Sequence, residues 1–456
     1  MSRALDTDLC VIGAGSGGLS VAAGAVQMGA RVVLIEAGAM GGDCLNTGCV
    51  PSKALLAAAA AGRSWAEAHD QVRAAIETIA PHDSVERFEG LGVTVLAGFA
   101  SFTGPGEVAV GETRVRARRF VIATGARPAV PDIPGLADVA YLTNETIFDL
   151  GEAPGHLLVL GGGPVGLEMA EAHRRLGCDV TVIEAARALG REDLEAAGVV
   201  LEALRARGVR VLEETQAEAV RAVEGGIALA TSAGEIRGTH LLVATGRRPA
   251  VAGLGLERAG IEAAPGGIVT DGRLRTTNRR VFAIGDVTGG AQQTHVAGYQ
   301  AGIVVRAALF GLPARAREDH LPRAVYTSPE LAQVGLTEAE ARAAHGVALE
   351  VVRAETAATD RAVAGAWAAP GFVKVMVVRG RPVGATIVGP DAGEQIAFWA
   401  LALSARLKMS AIAGTVLPYP TLAEVSKRAA GNYFSPRLFG NVWVKRVVRA
   451  VQRLAP

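Results

Sequence analysis

Leu9-Cys10-Val11-Ile12-Gly13-Ala14-Gly15-Ser16-Gly17-Gly18 is an apolar run that breaks into glycines. Four consecutive apolar residues without alternation describe a strand covered on both faces. An Ala-rich helical stretch follows to about Met28, then a second strand, Arg31–Ile35, ending at Glu36. This is a βαβ unit. The same phrase returns as strand Leu157–Leu160, Gly161-Gly162-Gly163-Pro164-Val165-Gly166, a helix to Leu176, and strand Asp179–Ile183 ending at Glu184. Gly161 and Glu184 each stand 148 residues after their counterparts Gly13 and Glu36, so the two units are in register.

In each loop the first glycine permits the tight turn and the second lets backbone approach a pyrophosphate. The third lets the helix pack closely, and the helix N-terminus supplies partial positive charge. An acidic residue 18 positions after the last glycine suits the diol of a ribose. Two bound dinucleotides are expected. Glu184 would accept hydrogen bonds from a free 2′-hydroxyl and repel a 2′-phosphate, which favours NADH over NADPH, although Arg187 is close in sequence.

A second repeated phrase supports the duplication. Phe120-Val121-Ile122-Ala123-Thr124-Gly125-Ala126-Arg127-Pro128 is echoed by Leu241-Leu242-Val243-Ala244-Thr245-Gly246-Arg247-Arg248-Pro249, each an apolar strand ending in a Gly turn. A third strand and turn, Val281-Phe282-Ala283-Ile284-Gly285-Asp286, has no βαβ unit of its own and is expected to return to the first domain. From about Leu321 short β-rich runs (Gly371–Val378, Gly384–Val388) alternate with helices such as Ala392–Leu407, the texture of an α+β domain. Pro128–Pro134 and Pro322–Pro329 are expected linkers.

The totals agree with this layout. At 456 residues the chain is long enough for two to four domains. Its 46 Lys+Arg against 45 Asp+Glu argue against nucleic acid as a partner. Half of the residues are apolar, yet no run reaches the ~18 residues of a membrane span. Met1–Asp8 lacks the pattern of a secretory signal, so a cytoplasmic location is expected.

Of four cysteines, Cys10 and Cys178 stand apart, while Cys44 and Cys49 lie five residues from each other in Gly41-Gly42-Asp43-Cys44-Leu45-Asn46-Thr47-Gly48-Cys49-Val50-Pro51-Ser52-Lys53. An isolated close pair in a reducing compartment is redox-active or metal-binding more often than structural. Zinc would need further Cys or His ligands at suitable spacing, and none lies nearby, so no metal site is expected. The spacing brings the two sulfurs within disulfide reach at a helix start, where the dipole stabilises a thiolate.

Taken together, these motifs resemble the class I pyridine nucleotide-disulfide oxidoreductases, the group of dihydrolipoamide dehydrogenase, glutathione reductase and mercuric reductase, over essentially the whole chain. The resemblance implies an α/β fold with two Rossmann-like dinucleotide-binding domains, for FAD and NAD(P), and a C-terminal α+β dimerisation domain. Residues 1–150 would begin the FAD domain, 151–272 form the NAD(P) domain, 273–320 return to the first, and 321–456 make the homodimer interface. It places FAD against Gly13, Gly15, Ser16, Gly18, Glu36, Gly42, Lys53, Thr124, Gly125 and Asp286, and NADH or NADPH against Gly161, Gly163, Gly166, Glu184 and Gly246. Cys49 becomes the flavin-proximal thiol and Cys44 the one that meets substrate, a small disulfide. Lys53 would pair with Glu168 near the flavin.

The chain departs from the family near its end. Where such reductases carry His-Pro-Thr-x-x-Glu, Tyr419-Pro420-Thr421-Leu422-Ala423-Glu424 stands here. The family's His is the acid–base that protonates the leaving thiolate and its Glu orients it, so Tyr419 and Glu424 are the corresponding candidates. A phenol near pKa 10 is a poor proton relay at neutral pH. The expected substrate therefore releases a low-pKa thiol, forms a thione, or is a metal ion. Tyrosine here is similar to mercuric reductases, but no cysteine follows Cys178 to stand for their C-terminal pair. A lipoamide-dehydrogenase-like subunit of a multienzyme complex is a further alternative that the missing His disfavours. His295 is read as a packing or flavin-contact residue rather than a replacement acid. Arg437–Arg453, where Arg437, Lys445, Arg446, Arg449 and Arg453 interrupt Trp443, Val444, Val447, Val448 and Val451, reads as an amphipathic helix. Packing on its own domain is expected there in preference to contact with a membrane.

Overall fold

The computed structural model describes residues 3–366 and 370–454. It resolves into two compact units: the chain up to Ala186 together with Val209–Arg317, and Arg187–Gly208 together with the chain from Glu318 onward.

In the first unit, strand Arg3–Ile12 lies between the parallel strands Val32–Glu36 and Thr113–Ile122. Thr94–Ala97 extends the sheet in parallel beyond Val32–Glu36, and Val281–Ala283 joins it in parallel beside Thr113–Ile122. The last pairing seats the third strand and turn where the sequence expects it. Both faces are covered, as the unbroken apolar run requires: Leu9 and Val11 enter one core cluster, Cys10 and Ile12 the other. Helices α1 (Ser16–Gln27), α2 (Gly42–Asn46) and α3 (Cys49–Ala60) follow the first two strands. The antiparallel strands Ala100–Gly104 and Glu107–Val110 were not anticipated, being short and bounded by turns.

The second copy of the motif builds its own parallel sheet, Arg210–Leu212, Asp179–Ile183, His156–Leu160 and His240–Val243, with α4 (Pro164–Arg175) after its glycine loop. The two Gly-turn phrases then pair with each other, Ala126–Pro128 antiparallel to Arg247–Pro249. Pro128 therefore ends a strand, and only the residues after it connect. Helix α5 (Thr294–Phe310) packs along α1, and its Ile303 and Val304, both fully buried, share the core cluster of Leu9 and Val11.

The second unit is a five-stranded antiparallel sheet in the order Pro322–Val325, Glu330–Gly335, Arg381–Gly389, Phe372–Val378, Leu349–Glu355. Pro322–Pro329 is thus a strand and its turn, not a linker. Pro322 is tolerated because it opens an edge strand, where its missing N–H is not needed. Helix Ala392–Ser404, three residues shorter than expected, buries Trp399, whose Nε1 donates to Ser426 Oγ at 2.9 Å. Residues 187–208, read from the sequence with 151–272, belong to this unit. Buried Lys374 holds Asp193 at 2.9 Å and Glu195 at 2.8 Å, and Arg323 holds Glu192 at 2.9 Å.

The expected amphipathic stretch is two helices, α6 (Glu424–Phe439) and α7 (Val442–Leu454), broken at Gly440. Asn441 Oδ1 caps the second by accepting from Trp443 N–H at 2.9 Å. No residue of α7 is buried, so the expectation that it packs on its own domain fails. The sequence pattern predicts a two-faced helix correctly, but pattern alone cannot say whether the rest of the chain meets its apolar face.

Candidate active site

The two glycine loops meet the demands of a dinucleotide cradle. A Cβ on Gly13 would lie 2.4 Å from the Ala123 carbonyl oxygen, and one on Gly18 would lie 1.8 Å from that of Gly13. In the second loop Gly161 and Gly166 are equally confined, at 2.5 Å from Ala244 O and 2.0 Å from Gly161 O. The middle glycines differ. A Cβ on Gly163 would meet nothing within 4 Å, and one on Gly15 only the Gly42 Cα at 4.0 Å. Protein packing does not require glycine at these two places, so the bare backbone there serves a group from outside the chain. Helices α1 and α4 start at these residues with no side-chain cap and no acidic residue in the first turn, leaving their N–H groups for an anion. The residues present therefore fit two pyrophosphates.

Glu36 accepts from Ala14 N–H at 2.5 Å and Gly38 N–H at 2.7 Å. Glu184 does the same from Gly162 N–H at 2.7 Å and Ala186 N–H at 2.9 Å. Each carboxylate is thus fixed at the end of its strand, beside its loop. Gly42, at φ +59°, packs against the first loop, since a Cβ would lie 2.8 Å from the Gly15 Cα. Gly125 and Gly246 both hold positive φ in their turns. Thr124 turns its hydroxyl to the Ala250 carbonyl at 2.9 Å, a structural bond between the two Gly turns.

Cys44 lies in α2 and Cys49 is the first residue of α3; both are thiols here. The loop between them is held by Asn144 Nδ2, which donates to Thr47 O at 3.1 Å. The sulfurs interact directly. A hydrogen bond from Cys44 brings the Cys49 thiol down to about 6, with help from the Thr294 hydroxyl and the Lys53 charge and against the cost of burial. Cys44 is pushed strongly up by the same bond and by burial. One proton is therefore shared by the pair, and Cys49 carries the negative charge. Its Sγ is 3.3 Å from Thr294 Oγ1, and the α3 N-terminus adds its dipole. Cys10 and Cys178 are buried in the core, with their thiols pushed up by burial, that of Cys178 to about 11.

Lys53 stands on α3 and donates to Glu168 Oε2, on α4, at 2.6 Å. The Glu168 side chain is only 5 % exposed and that of Lys53 37 %, so the carboxylate is the buried member of the pair and the ammonium the accessible one, its charge acting on Cys49. Asp286 is held by Arg247 at 3.4 Å. Burial pushes the Asp286 carboxyl up, and Arg247 opposes this. Arg247 also pairs with Asp43, next to Cys44, and donates to Ala126 O at 2.7 Å. Neither Thr294 nor Arg247 was singled out from the sequence. The only signal for Arg247 was that the second Gly-turn phrase has arginine where the first has Ala126.

Tyr419 and Glu424 lie in the second unit. The Tyr419 phenol is 71 % exposed and donates to Asp360 Oδ2 at 2.7 Å. That bond, followed by the Asp360 charge, raises its pKa above the ordinary phenol range. Glu424 adds a smaller upward push on the Tyr419 phenol through its charge; its Oε2 is buried without a hydrogen-bond partner, and the carboxylate that the phenol bonds is that of Asp360.

Comparison with known proteins shows the family. Residues 7–301 match the family described as pyridine nucleotide-disulphide oxidoreductase, and residues 321–430 match its dimerisation domain. A mercuric reductase of Streptomyces lividans is 38 % identical, covering 94 % of this chain and 96 % of its own. A dihydrolipoyl dehydrogenase of Thermus scotoductus is 36 % identical, covering 93 % and 96 %. Among solved structures, a Cu(II) complex of the HOCl-induced flavoprotein disulfide reductase RclA from Escherichia coli superposes with a TM-score of 0.87 at 30 % identity, over 94 % of this chain and 99 % of that one. The chain belongs to the pyridine nucleotide-disulphide oxidoreductase family of FAD- and NAD(P)H-dependent enzymes.

Proposed function

We propose that this enzyme reduces a small disulfide with its Cys44–Cys49 dithiol, NADH being the preferred source of electrons. The observation that carries this reading is the placement of two neighbouring thiols, Cys44 in α2 and Cys49 opening α3 with its Sγ 3.3 Å from Thr294 Oγ1, where the bond from Cys44 draws the Cys49 thiol down to about 6. FAD on the Gly13–Gly18 loop would relay reducing equivalents from NAD(P)H, on the Gly161–Gly166 loop, to this pair. Lys53, anchored by Glu168, would keep positive charge beside the Cys49 thiolate. The preference for NADH rests on Glu184.

The chemistry of the pair balances without a further redox group. Cys44 gives its proton along the hydrogen bond to Cys49 and attacks one sulfur of RS–SR. The substrate S–S bond breaks, a Cys44–SR bond forms, and RS⁻ leaves. Cys49 then loses the proton to a leaving thiolate and attacks Cys44 Sγ, forming Cys44–Cys49 and releasing the second RS⁻. The substrate gains the two electrons that the dithiol loses. The phenol of Tyr419 is a weak acid whose proton is engaged by Asp360. The reading accordingly favours substrates whose reduced sulfur leaves as a stable thiolate. A homodimer, supported by the match to the dimerisation domain, completes the proposed enzyme.

Reduction of a soft metal ion is the second reading, favoured by tyrosine at 419 and by relatives described as mercuric reductases. Anaerobic titration of the yellow holoenzyme with NADH and NADPH, followed by oxidation with a panel of disulfides and with Hg(II), separates the two. The first reading expects rapid reoxidation by a disulfide and loss of that turnover in Cys44→Ser. Hg(II)-dependent NADPH oxidation faster than with every disulfide would select the second. Full turnover in a Cys44→Ser/Cys49→Ser double variant would end both.

A further inference from the structure

Helix α7 carries an apolar stripe and a basic face that nothing in the described chain covers. Trp443, Val447, Val451 and Leu454 recur at helical spacing, and Trp443 and Leu454 are 71 % and 87 % exposed. At 100° per residue the apolar positions from Trp443 to Leu454 fill a sector about 160° wide. The opposite sector holds Lys445, Arg446, Arg449 and Arg453, with the Arg446 guanidinium 5.1 Å from the Trp443 ring centroid at its border. From Val425 to Pro456 the sequence has seven basic residues and no acidic one.

This charge pattern identifies the occupant. A helix whose polar face simply meets water normally mixes both signs at i,i+4. Here Lys445–Arg449 and Arg449–Arg453 are like-charged i,i+4 pairs, which oppose the helix unless anions lie nearby. Thirteen residues without burial are also a marginal helix in water. A second copy of α7 laid stripe to stripe would cover the apolar residues but, having no acidic residue, bring no negative charge to the basic face. An anionic lipid surface supplies both: acyl chains for Trp443, Val447 and Val451, and headgroup phosphates for the basic residues at the rim. At 1.5 Å per residue α7 is about 20 Å long, too short for the ~30 Å hydrocarbon layer, and no described helix is long and apolar enough to cross a membrane.

We propose that α7 lies flat in the interface of an anionic bilayer and holds the enzyme at that surface. The test uses the purified holoenzyme with vesicles of phosphatidylcholine alone or with added phosphatidylglycerol, read by co-sedimentation. Binding is expected only to the anionic vesicles, and to weaken as NaCl is raised from about 50 mM to about 500 mM. Lys445→Glu with Arg449→Glu, and separately Val447→Asp with Val451→Asp, should each weaken it by about 100-fold or more. Neither pair touches the dithiol site, and NADH oxidation in solution serves as the folding control. Absence of wild-type binding, or equal binding to neutral vesicles, overturns the proposal. So does a Val447→Asp/Val451→Asp variant that halves the assembly mass while still binding vesicles, which would make the stripe a contact between copies.

Discussion

Replacing Thr294 with valine removes the hydroxyl 3.3 Å from Cys49 Sγ while keeping the shape of the side chain. A hydrogen bond to a charged group is worth about 1.5 kcal/mol at its weaker end, and each pK unit corresponds to about 1.4 kcal/mol, so the Cys49 thiol should rise by about one unit. Starting from about 6, the native thiolate is half-formed at pH 6 and is lost as the pH falls below it. In Thr294→Val about a tenth would remain at pH 6, a roughly fivefold fall, and the two proteins would converge above about pH 9. The assay is pulsed alkylation of the reduced enzyme with iodoacetamide across this range, reading the Cys49 peptide by mass spectrometry. Cys10 and Cys178, both buried, provide unreactive internal controls. Cys44→Ala should move the profile further, because the bond from Cys44 is the largest influence on Cys49. Superimposable profiles for wild type, Thr294→Val and Cys44→Ala would refute the assignment of the thiolate to Cys49.

Further outcomes follow from the same structure. Lys374→Met would strand the Asp193 carboxylate, 4 % exposed, and should cost about 3–5 kcal/mol, lowering Tm by about 10 °C in thermal unfolding; a change within about 2 °C would show that the buried cation does not bind this unit together. Gly163→Ala should leave Tm unchanged but weaken NAD(P)H binding at least about tenfold by titration calorimetry, whereas Gly166→Ala should destabilise the fold itself. Asp360→Asn should return the Tyr419 phenol toward its ordinary range, shifting any phenol-dependent limb of the turnover profile to lower pH. Tyr419→Phe should abolish that limb, and unchanged turnover on every accepted substrate would remove Tyr419 from the chemistry.

The duplicated strand–glycine–helix phrase was legible because each of its residues answers a local demand: no Cβ at Gly13 and Gly18, no polar side chain at Val11, a carboxylate at Glu36. The pair Cys44–Cys49 was legible for the same reason, being close in sequence. Lys53 and Glu168, 115 residues apart, were reached only through the family resemblance, since no periodicity links them. Thr294, Arg247 and Asp360 escaped because their importance lies wholly in what the folded chain brings to them. The antiparallel strands Ala217–Val223, Gly226–Thr231 and Gly234–Gly238 were missed for a different reason. Their Glu, Arg, Ala and Gly content gives a weak alternating signal. Pro322 misled in the opposite direction, marking a break where an edge strand begins.

Arg247 rises from the Gly turn that closes the second nucleotide motif, yet its guanidinium grips Asp43, the neighbour of Cys44, and Asp286 of the return segment. The turn therefore cannot drift by an ångström or two without either surrendering these two ionic grips or dragging the sulfur-bearing loop along. One cation thus ties that turn to the loop of Cys44 and to the return segment, and an Arg247→Gln variant is expected to release both contacts at once.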